Sequence, residues 1–443
     1  MISKEQIAQI VRQRDFTLND VDIDRKTDSL YEDIIHGRYS FSNYTRDIFT
    51  QQGKKRIIYN YMKLSCEDII CQYLKHQIDS TFHVKYASRN KIMNLLFNVL
   101  PIVKDMNDFV IVRADFKSFF DSVLLKHIYD KYIKESMLKR YDKEMLALYT
   151  REFKYCYAGL CLSNSMTELA CSDFDEHIKA KLSQYGVFFY ERYVDDILLI
   201  MNKYISQDIF LGLMNEAIKE VFGESPVHLA MTPGKFSYIA KRNIQQNKKY
   251  EFSFLGYEFE LKEIQKEKDS MITFRYGITE KKRRKYGGII EKAIIQYSKD
   301  HDMELFRQRI KIYSARVVLG KKIGSSSLDW LTKGVVANYN ELQHHMKFLT
   351  PDTKMFMKGL YFALLGKHHV SIPYFMEQSA KEDSIYNIYS NMKRNRSIVF
   401  EENIGVPQNV LIKWIRKIDP HYKDNGKDYY RIVVDYLEMI KIE

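Results

Sequence analysis

Apolar residues recur at three- and four-residue intervals over most of this chain, the periodicity of helices that bury one face. After Ser65, which is placed to cap a helix, Ile69, Ile70, Tyr73, Leu74 and Ile78 form one such stripe. After Ser88 the set Ile92, Leu95, Leu96, Val99 and Leu100 forms another, which Pro101 should end. The period then changes. Phe109-Val110-Ile111-Val112 is a short β-rich run that closes on Asp115, and a helix is expected from about Ser122 through Leu124, Leu125, Ile128, Tyr132 and Ile133. A long helix follows over 163–186, with Ser163 as its cap and Met166, Ala170 and Phe174 as its buried stripe. Two apolar runs, Val187-Phe188-Phe189-Tyr190 and Ile197-Leu198-Leu199-Ile200, flank a polar break and predict a β-hairpin. A helix over 206–223 comes next, then short strands near 252–260 and 272–276. Beyond Lys281 the pattern reads as almost all helix, including 305–318, 328–349, 355–365, 385–392 and 410–418.

Composition narrows the class. With 443 residues, 45% hydrophobic and 28% charged, the chain can bury a sizeable core across two or three domains. The formal net charge of +12, from 69 Lys+Arg against 57 Asp+Glu, favours a polyanionic partner. The 33 Tyr and 26 Phe supply rings on which bases can stack, although most such rings belong to a core. Five cysteines with no CxxC pair disfavour a disulfide scaffold and a zinc ribbon. No signal-like apolar run opens the sequence and no stretch suits a membrane span, so the expectation is a cytoplasmic protein with no membrane partner. The paired histidines His344-His345 and His368-His369 read as ordinary surface residues, since neighbours on a helix point different ways.

The chemistry concentrates at the hairpin tip, Arg192-Tyr193-Val194-Asp195-Asp196. Two adjacent carboxylates between apolar strands repel each other unless a cation neutralises them. In isolation such a pair is most simply a solvated turn. Asp115 changes that reading: it ends its own strand, and if the strands are neighbours it converges on the same face. Hard carboxylate oxygens suit Mg²⁺, and two ions about 3.5–4 Å apart can activate a hydroxyl and stabilise a departing pyrophosphate.

The order of these segments resembles the palm of reverse transcriptases, with its Asp-led strand and Tyr-x-Asp-Asp hairpin. The resemblance covers roughly residues 50–285. It implies an α+β right-hand polymerase: fingers and palm over 1–262 with an antiparallel sheet flanked by helices, an α-helical thumb over 263–349, and a helical extension over 350–443. It implies that Asp115, Asp195 and Asp196 bind two Mg²⁺, with Mn²⁺ as a substitute. Phe120, five residues after Asp115, stands where the family keeps a ring that crowds a ribose 2′-hydroxyl and so selects dNTPs. Lys55, Arg56 and Arg89 resemble the residues of the fingers that hold the triphosphate, and Lys235 in Thr232-Pro233-Gly234-Lys235 resembles the palm lysine that protonates pyrophosphate. Gly256 and Tyr257, in Phe254-Leu255-Gly256-Tyr257, resemble the primer grip, and Lys281, Lys282, Arg283 and Arg284 open the thumb as candidates for gripping phosphates. Each of these residues alone is an ordinary charge, turn or core ring; their order is what makes the resemblance specific.

One segment departs from the group II intron and retron enzymes. Gly159-Leu160-Cys161-Leu162-Ser163-Asn164-Ser165-Met166-Thr167-Glu168-Leu169 lacks the usual prolines and has Glu168 where Asn is usual. In this it resembles abortive-infection and related antiphage-defence reverse transcriptases, with Ser163 and Asn164 as candidate nucleic-acid contacts. That resemblance implies an RNA template or a non-coding RNA as partner, a DNA product, and a second copy of the chain or a second defence protein as a further candidate. It also leaves open untemplated or protein-primed DNA synthesis on the same fold, and a non-catalytic RNA-binding scaffold.

Overall fold

The computed structural model describes residues 2–15, 18–51, 54–266, 269–323, 327–377 and 384–440. The chain is a mixture of helices and largely antiparallel sheets, divided into two compact units: Met1–Ile92 with Met106–Ile244, and Met93–Asp105 with Gln245–Glu443.

The first unit begins with two helices, Lys4–Arg14 and Asp20–Ile35, and a two-stranded antiparallel ribbon, β1 (Tyr44–Gln51) and β2 (Lys54–Tyr61). Its main sheet comprises β3 (Val110–Asp115), β4 (Val187–Tyr193), β5 (Asp196–Met201) and β6 (Ser237–Ala240), all antiparallel, in the order β4-β5-β3-β6. Every residue of β3 is buried, which is why its first half, Val110-Ile111-Val112, reads as a continuous apolar run rather than an alternating one. Val110, Val112 and Ala114 join one core with Ile197, Leu199 and Met201, and with Met166, Phe174 and Phe222 of the surrounding helices. Those helices are Cys66–Thr81, Cys161–Leu182 and Gln207–Phe222.

Caps explain where several helices start. The Ser65 hydroxyl accepts from the Asp68 N–H at 3.2 Å, and that of Ser206 accepts from Ile209 at 3.4 Å. Ser163 does not act this way. The helix begins at Cys161, and Ser163 lies inside its first turn, 1% exposed, because Leu160 and Leu162 are themselves buried and carry the helix inward. Pro101 does not end its helix at once: Arg89–Val103 continues for two residues beyond it.

The second unit has a three-stranded antiparallel sheet of β7 (Lys249–Phe254), β8 (Tyr257–Lys266) and β9 (Asp269–Ile278), followed by the helix Glu280–Asp300. The expectation of nearly continuous helix after Lys281 is corrected here. The helix Met303–Ser314 stops early, and β10 (Arg316–Ile323), β11 (Ser327–Lys333) and β12 (Ser397–Glu401) form a sheet in the order β11-β10-β12. Val317 and Leu319 are buried at two-residue spacing, directly after Ile310, Ile312 and Tyr313. The apolar run therefore blurs the change of period. Of the stretch 328–349, only the part from Val335 onward is helical, in the short pieces Val335–Asn338 and Asn340–Phe348. Helices Pro351–Lys367, Ile388–Arg394, Gln408–Ile418 and Tyr429–Met439 complete the unit.

His345 is not an ordinary surface residue. Its ring lies 4.8 Å from Phe97 and 5.9 Å from Tyr276, and burial lowers its pKa from 6.5, helped by His344 and Lys347. The fold thus favours neutral His345. Its contribution is complete above the unfolded value near 6.5 and is lost as pH falls below it. His345→Phe is expected to show a smaller drop in melting temperature between pH 7.5 and 5.5 than the wild type; an unchanged drop would exclude this contribution.

Candidate carboxylate site at the β3–β5 strand ends

Antiparallel register brings Asp115 of β3 directly opposite Asp196 of β5. The turn Val194-Asp195 joins β4 to β5, and the Asp195 carbonyl accepts from the Phe116 N–H at 3.2 Å, which ties the tip to the end of β3. Three carboxylates therefore share one strand end. Burial raises the pKa of Asp195, and the charge of Asp115 raises it further. Asp196 is pushed up to about 7, mainly by burial and against the opposing pull of Arg113, with Asp195 and Asp115 adding to the rise. The cluster is short of positive charge.

Two cations partly supply it. Arg113 lies two residues before Asp115 and so on the same face of β3; its guanidinium pairs with Asp196 and reaches Asp115 at 3.3 Å. It also donates to the carbonyl oxygens of Gly234, at 3.0 Å, and Lys235. The Lys235 ammonium pairs with Asp115, although about half of the lysine side chain is exposed. With these partners in place, no group of three His, Cys, Asp or Glu side chains among the described residues is arranged to hold a metal ion. The donor set nevertheless suits a hard divalent cation in kind: three carboxylates, two of them with raised pKa values that added positive charge would bring down.

Behind the tip lies a second charged network. Arg192 on β4 is buried and faces two acids of the helix Cys161–Leu182. It donates to both oxygens of Glu168, at 3.0 and 2.7 Å, and to Asp175 at 3.0 Å. Asp175 also accepts from the Tyr190 hydroxyl at 2.6 Å. A further Arg192 bond, 3.0 Å to the Val194 carbonyl, braces the turn at a residue with φ of +59°. Glu168, the residue that departs from the usual Asn, thus acts as a strut for the aspartate-bearing hairpin. The signal was present in the sequence. Glu168 and Asp175 lie seven residues apart, on one face of a helix, and Arg192 interrupts an apolar strand. Arg113 had the same signature, a charge two positions from Asp115 in a buried run.

The remaining candidates stand on other elements. Lys55 and Arg56 are exposed on β2, opposite Thr50 and Phe49 of β1. The base of that ribbon is fixed by a Tyr59 N–H bond to the Ala158 carbonyl at 2.9 Å and by Tyr59 stacking on Tyr157 at 4.4 Å. Gly159 permits this approach: φ is +100°, and a Cβ there would lie 2.4 Å from the Tyr59 carbonyl. Arg89 opens the helix Arg89–Val103. Phe120 is half-buried in a single 3₁₀ turn, its ring 5.8 Å from that of Phe119. Asn164 is exposed, whereas Ser163 is buried one position before it and its hydroxyl has no hydrogen-bond partner. A nucleic-acid contact through Ser163 is therefore corrected.

In the second unit, Gly256 has φ of +86° in the β7–β8 turn, and its carbonyl accepts from the Thr279 N–H at 3.1 Å. Tyr257 is fully buried and donates to Glu341, so its ring offers no face to a base. Of the basic run, Lys281 and Arg284 are exposed, and Lys282 is partly so. Arg284 pairs with Glu280. Arg283 turns inward, bonding Glu258 at 2.5 Å and Asp352 at 3.2 Å; its expected phosphate contact is replaced by an internal one. Among the described residues no helix is long and apolar enough to cross a membrane.

No known protein family matches the chain, and no curated protein does. Some solved structures are similar to it at low identity. An apo telomerase from Candida tropicalis, truncated from its C-terminal domain, is 14% identical with a TM-score of 0.35, over 52% of this chain and 57% of that one. A telomerase from Candida albicans in complex with a TWJ fragment of telomeric RNA is 9% identical at 0.36, over 89% and 64%. The corresponding Candida tropicalis complex is 12% identical at 0.35, over 94% and 68%. The chain thus spans less than two thirds of the length of the first two.

Proposed function

We propose that this protein is an RNA-directed DNA polymerase of right-hand architecture, with its catalytic centre at the ends of β3 and β5. The observation that carries the proposal is the register pairing of buried Asp115 with partly exposed Asp196, and Asp195 beside them, in a cluster short of positive charge. Asp115, Asp195 and Asp196 would hold two Mg²⁺, which when bound supply charge neutralisation at the 3′-hydroxyl and the triphosphate. Lys235 is paired with Asp115, and its half-exposed ammonium could donate a proton to departing pyrophosphate. Arg113 keeps Asp196 oriented. Phe120 excludes a 2′-hydroxyl, while Lys55, Arg56 and Arg89 supply positive charge to the triphosphate.

The antiphage setting draws on the resemblance of the segment from Ser163 to Leu169 alone. The structure gives part of that segment another task, since Glu168 is engaged with Arg192. Template handling by Glu168 is accordingly not part of the proposal.

The test is to sequence the DNA made by the purified chain, with and without its co-purifying RNA. Products complementary to that RNA, absent with Asp195→Ala, are expected. Products with no complementarity would assign untemplated synthesis to the same carboxylates. Undiminished synthesis by Asp195→Ala would refute the catalytic assignment.

A further inference from the structure

The second unit contains a cleft of about 850 Å³ between the β8–β9 sheet and the segment running from Met346 into the helix Pro351–Lys367. Lys104, Lys249, Lys262, Arg275, Lys347 and Lys354 line it, against one acid, Glu260. Lys249 is paired with Glu251 at 2.6 Å and with Glu260 at 3.6 Å, and Lys104 lies 3.9 Å from Asp105. No ion pair among the described residues engages Lys262, Arg275, Lys347 or Lys354. Sheet register concentrates the charge further. Lys249 on β7, itself paired with Glu251 and Glu260, stands directly opposite Lys262 on β8, which no carboxylate among the described residues pairs.

Rings accompany the charges. Phe348 and Tyr389 are partly exposed in the lining, and the Lys347 ammonium lies 4.9 Å from the Phe348 ring centre. The helix Pro351–Lys367, capped by the Thr350 hydroxyl, opens onto the same wall through Pro351 and Lys354 and adds the positive end of its dipole.

We infer that this cleft binds a single-stranded nucleic acid, its phosphodiesters along the basic lining and its bases against Phe348 and Tyr389. A single small anion fits poorly, because the basic side chains come from three strands, from Lys104, and from the segment between Lys347 and Lys354, more positive charge than one phosphate can neutralise. A strand with regularly repeated charge serves them in turn. Basic grooves with interspersed rings bind single strands because every base has a face to stack. A duplex has its bases stacked on each other and presents no free faces. The inference is independent of the carboxylate site, since it needs no chemistry.

The test uses the full chain and a fluorescein-labelled 12-nucleotide RNA of mixed sequence, with binding read by anisotropy from 50 to 300 mM salt. Lys262→Glu with Arg275→Glu is expected to weaken binding at least tenfold. Removing two phosphate contacts should also make the slope of log K against log salt shallower by about 1.4. Phe348→Ala with Tyr389→Ala should weaken the RNA at least fivefold while leaving the slope unchanged. An abasic oligomer of equal length should bind more weakly to wild type and ignore the ring substitutions. A DNA strand of the same sequence shows whether the 2′-hydroxyl is read; binding of either strand supports the inference if it carries the same sensitivity to charge reversal at Lys262 and Arg275. Unchanged affinity and slope in the charge-reversal variant would overturn it, as would a blunt duplex with equal affinity and equal sensitivity. Circular dichroism on each variant checks that the fold is intact, as expected for the exposed Lys262 and Arg275 and the partly exposed Phe348 and Tyr389.

Discussion

Arg192→Ala is expected to destabilise the first unit by about 3–5 kcal/mol, the cost typical of removing one partner from a buried charge network. The guanidinium is 4% exposed and Glu168 is 7% exposed, so solvent screens little of this interaction. Without Arg192, the carboxylates of Glu168 and Asp175 lose their shared counter-charge, and the Val194 carbonyl loses its donor. Val194 is a β-branched residue at positive φ, a conformation that needs external support. Urea unfolding should show the loss in its midpoint. Glu168→Gln keeps the shape and an acceptor, and should lose less. If Arg192→Ala unfolds like wild type, the strut is not supporting the hairpin.

The second large effect runs in the opposite direction for stability. Asp195→Asn should reduce dNMP incorporation by about a hundred- to ten-thousandfold, while leaving the metal-free protein as stable as wild type or more so. The first part follows from losing several kcal/mol of charge stabilisation at the reacting phosphate, at about 1.36 kcal/mol per tenfold in rate. The second follows from the raised pKa of Asp195. Its ionised form is disfavoured in the fold by burial and by Asp115, and a neutral amide of the same shape removes that repulsion. A variant that loses activity because it unfolds would contradict this account; an inactive variant with an equal or higher melting temperature is what it requires. A functional site is where a chain tolerates such unfavourable charge.

Much of this was legible in the amino-acid order, for physical reasons that differ from residue to residue. The hairpin β4–β5 was readable because two apolar runs flank a turn that must be polar, and β3 because its end is marked by Asp115. Helices with a serine before the first apolar residue, at Ser65 and Ser206, announced their starts. Ser163 had the same local signature and yet is no cap, since tertiary burial of Leu160 and Leu162 decides where that helix begins. The strands β10 and β12 were hidden because their pairing is between residues far apart in sequence, Arg316 with Ser397 and Leu319 with Phe400, and periodicity sees only neighbours. For the same reason one partner of the carboxylates was out of view. Lys235 is identified as a counter-charge only once β3 and the turn before β6 lie side by side, whereas Arg113 already stands two positions from Asp115 in the sequence. Tyr257 and Arg283 show the converse: each resembles a residue that would face nucleic acid, but the sheet turns one into a core and the other toward Glu258 and Asp352.

The central claim is that Asp115, Asp195 and Asp196 together gather divalent ions around a nucleotide. Counting bound Mn²⁺ by electron paramagnetic resonance, with a non-hydrolysable dNTP analogue present, tests it most directly. Two ions per chain are predicted for the wild type, with the signal from at least one lost in Asp195→Asn. Equal Mn²⁺ occupancy in the two proteins, or none in either, would contradict it.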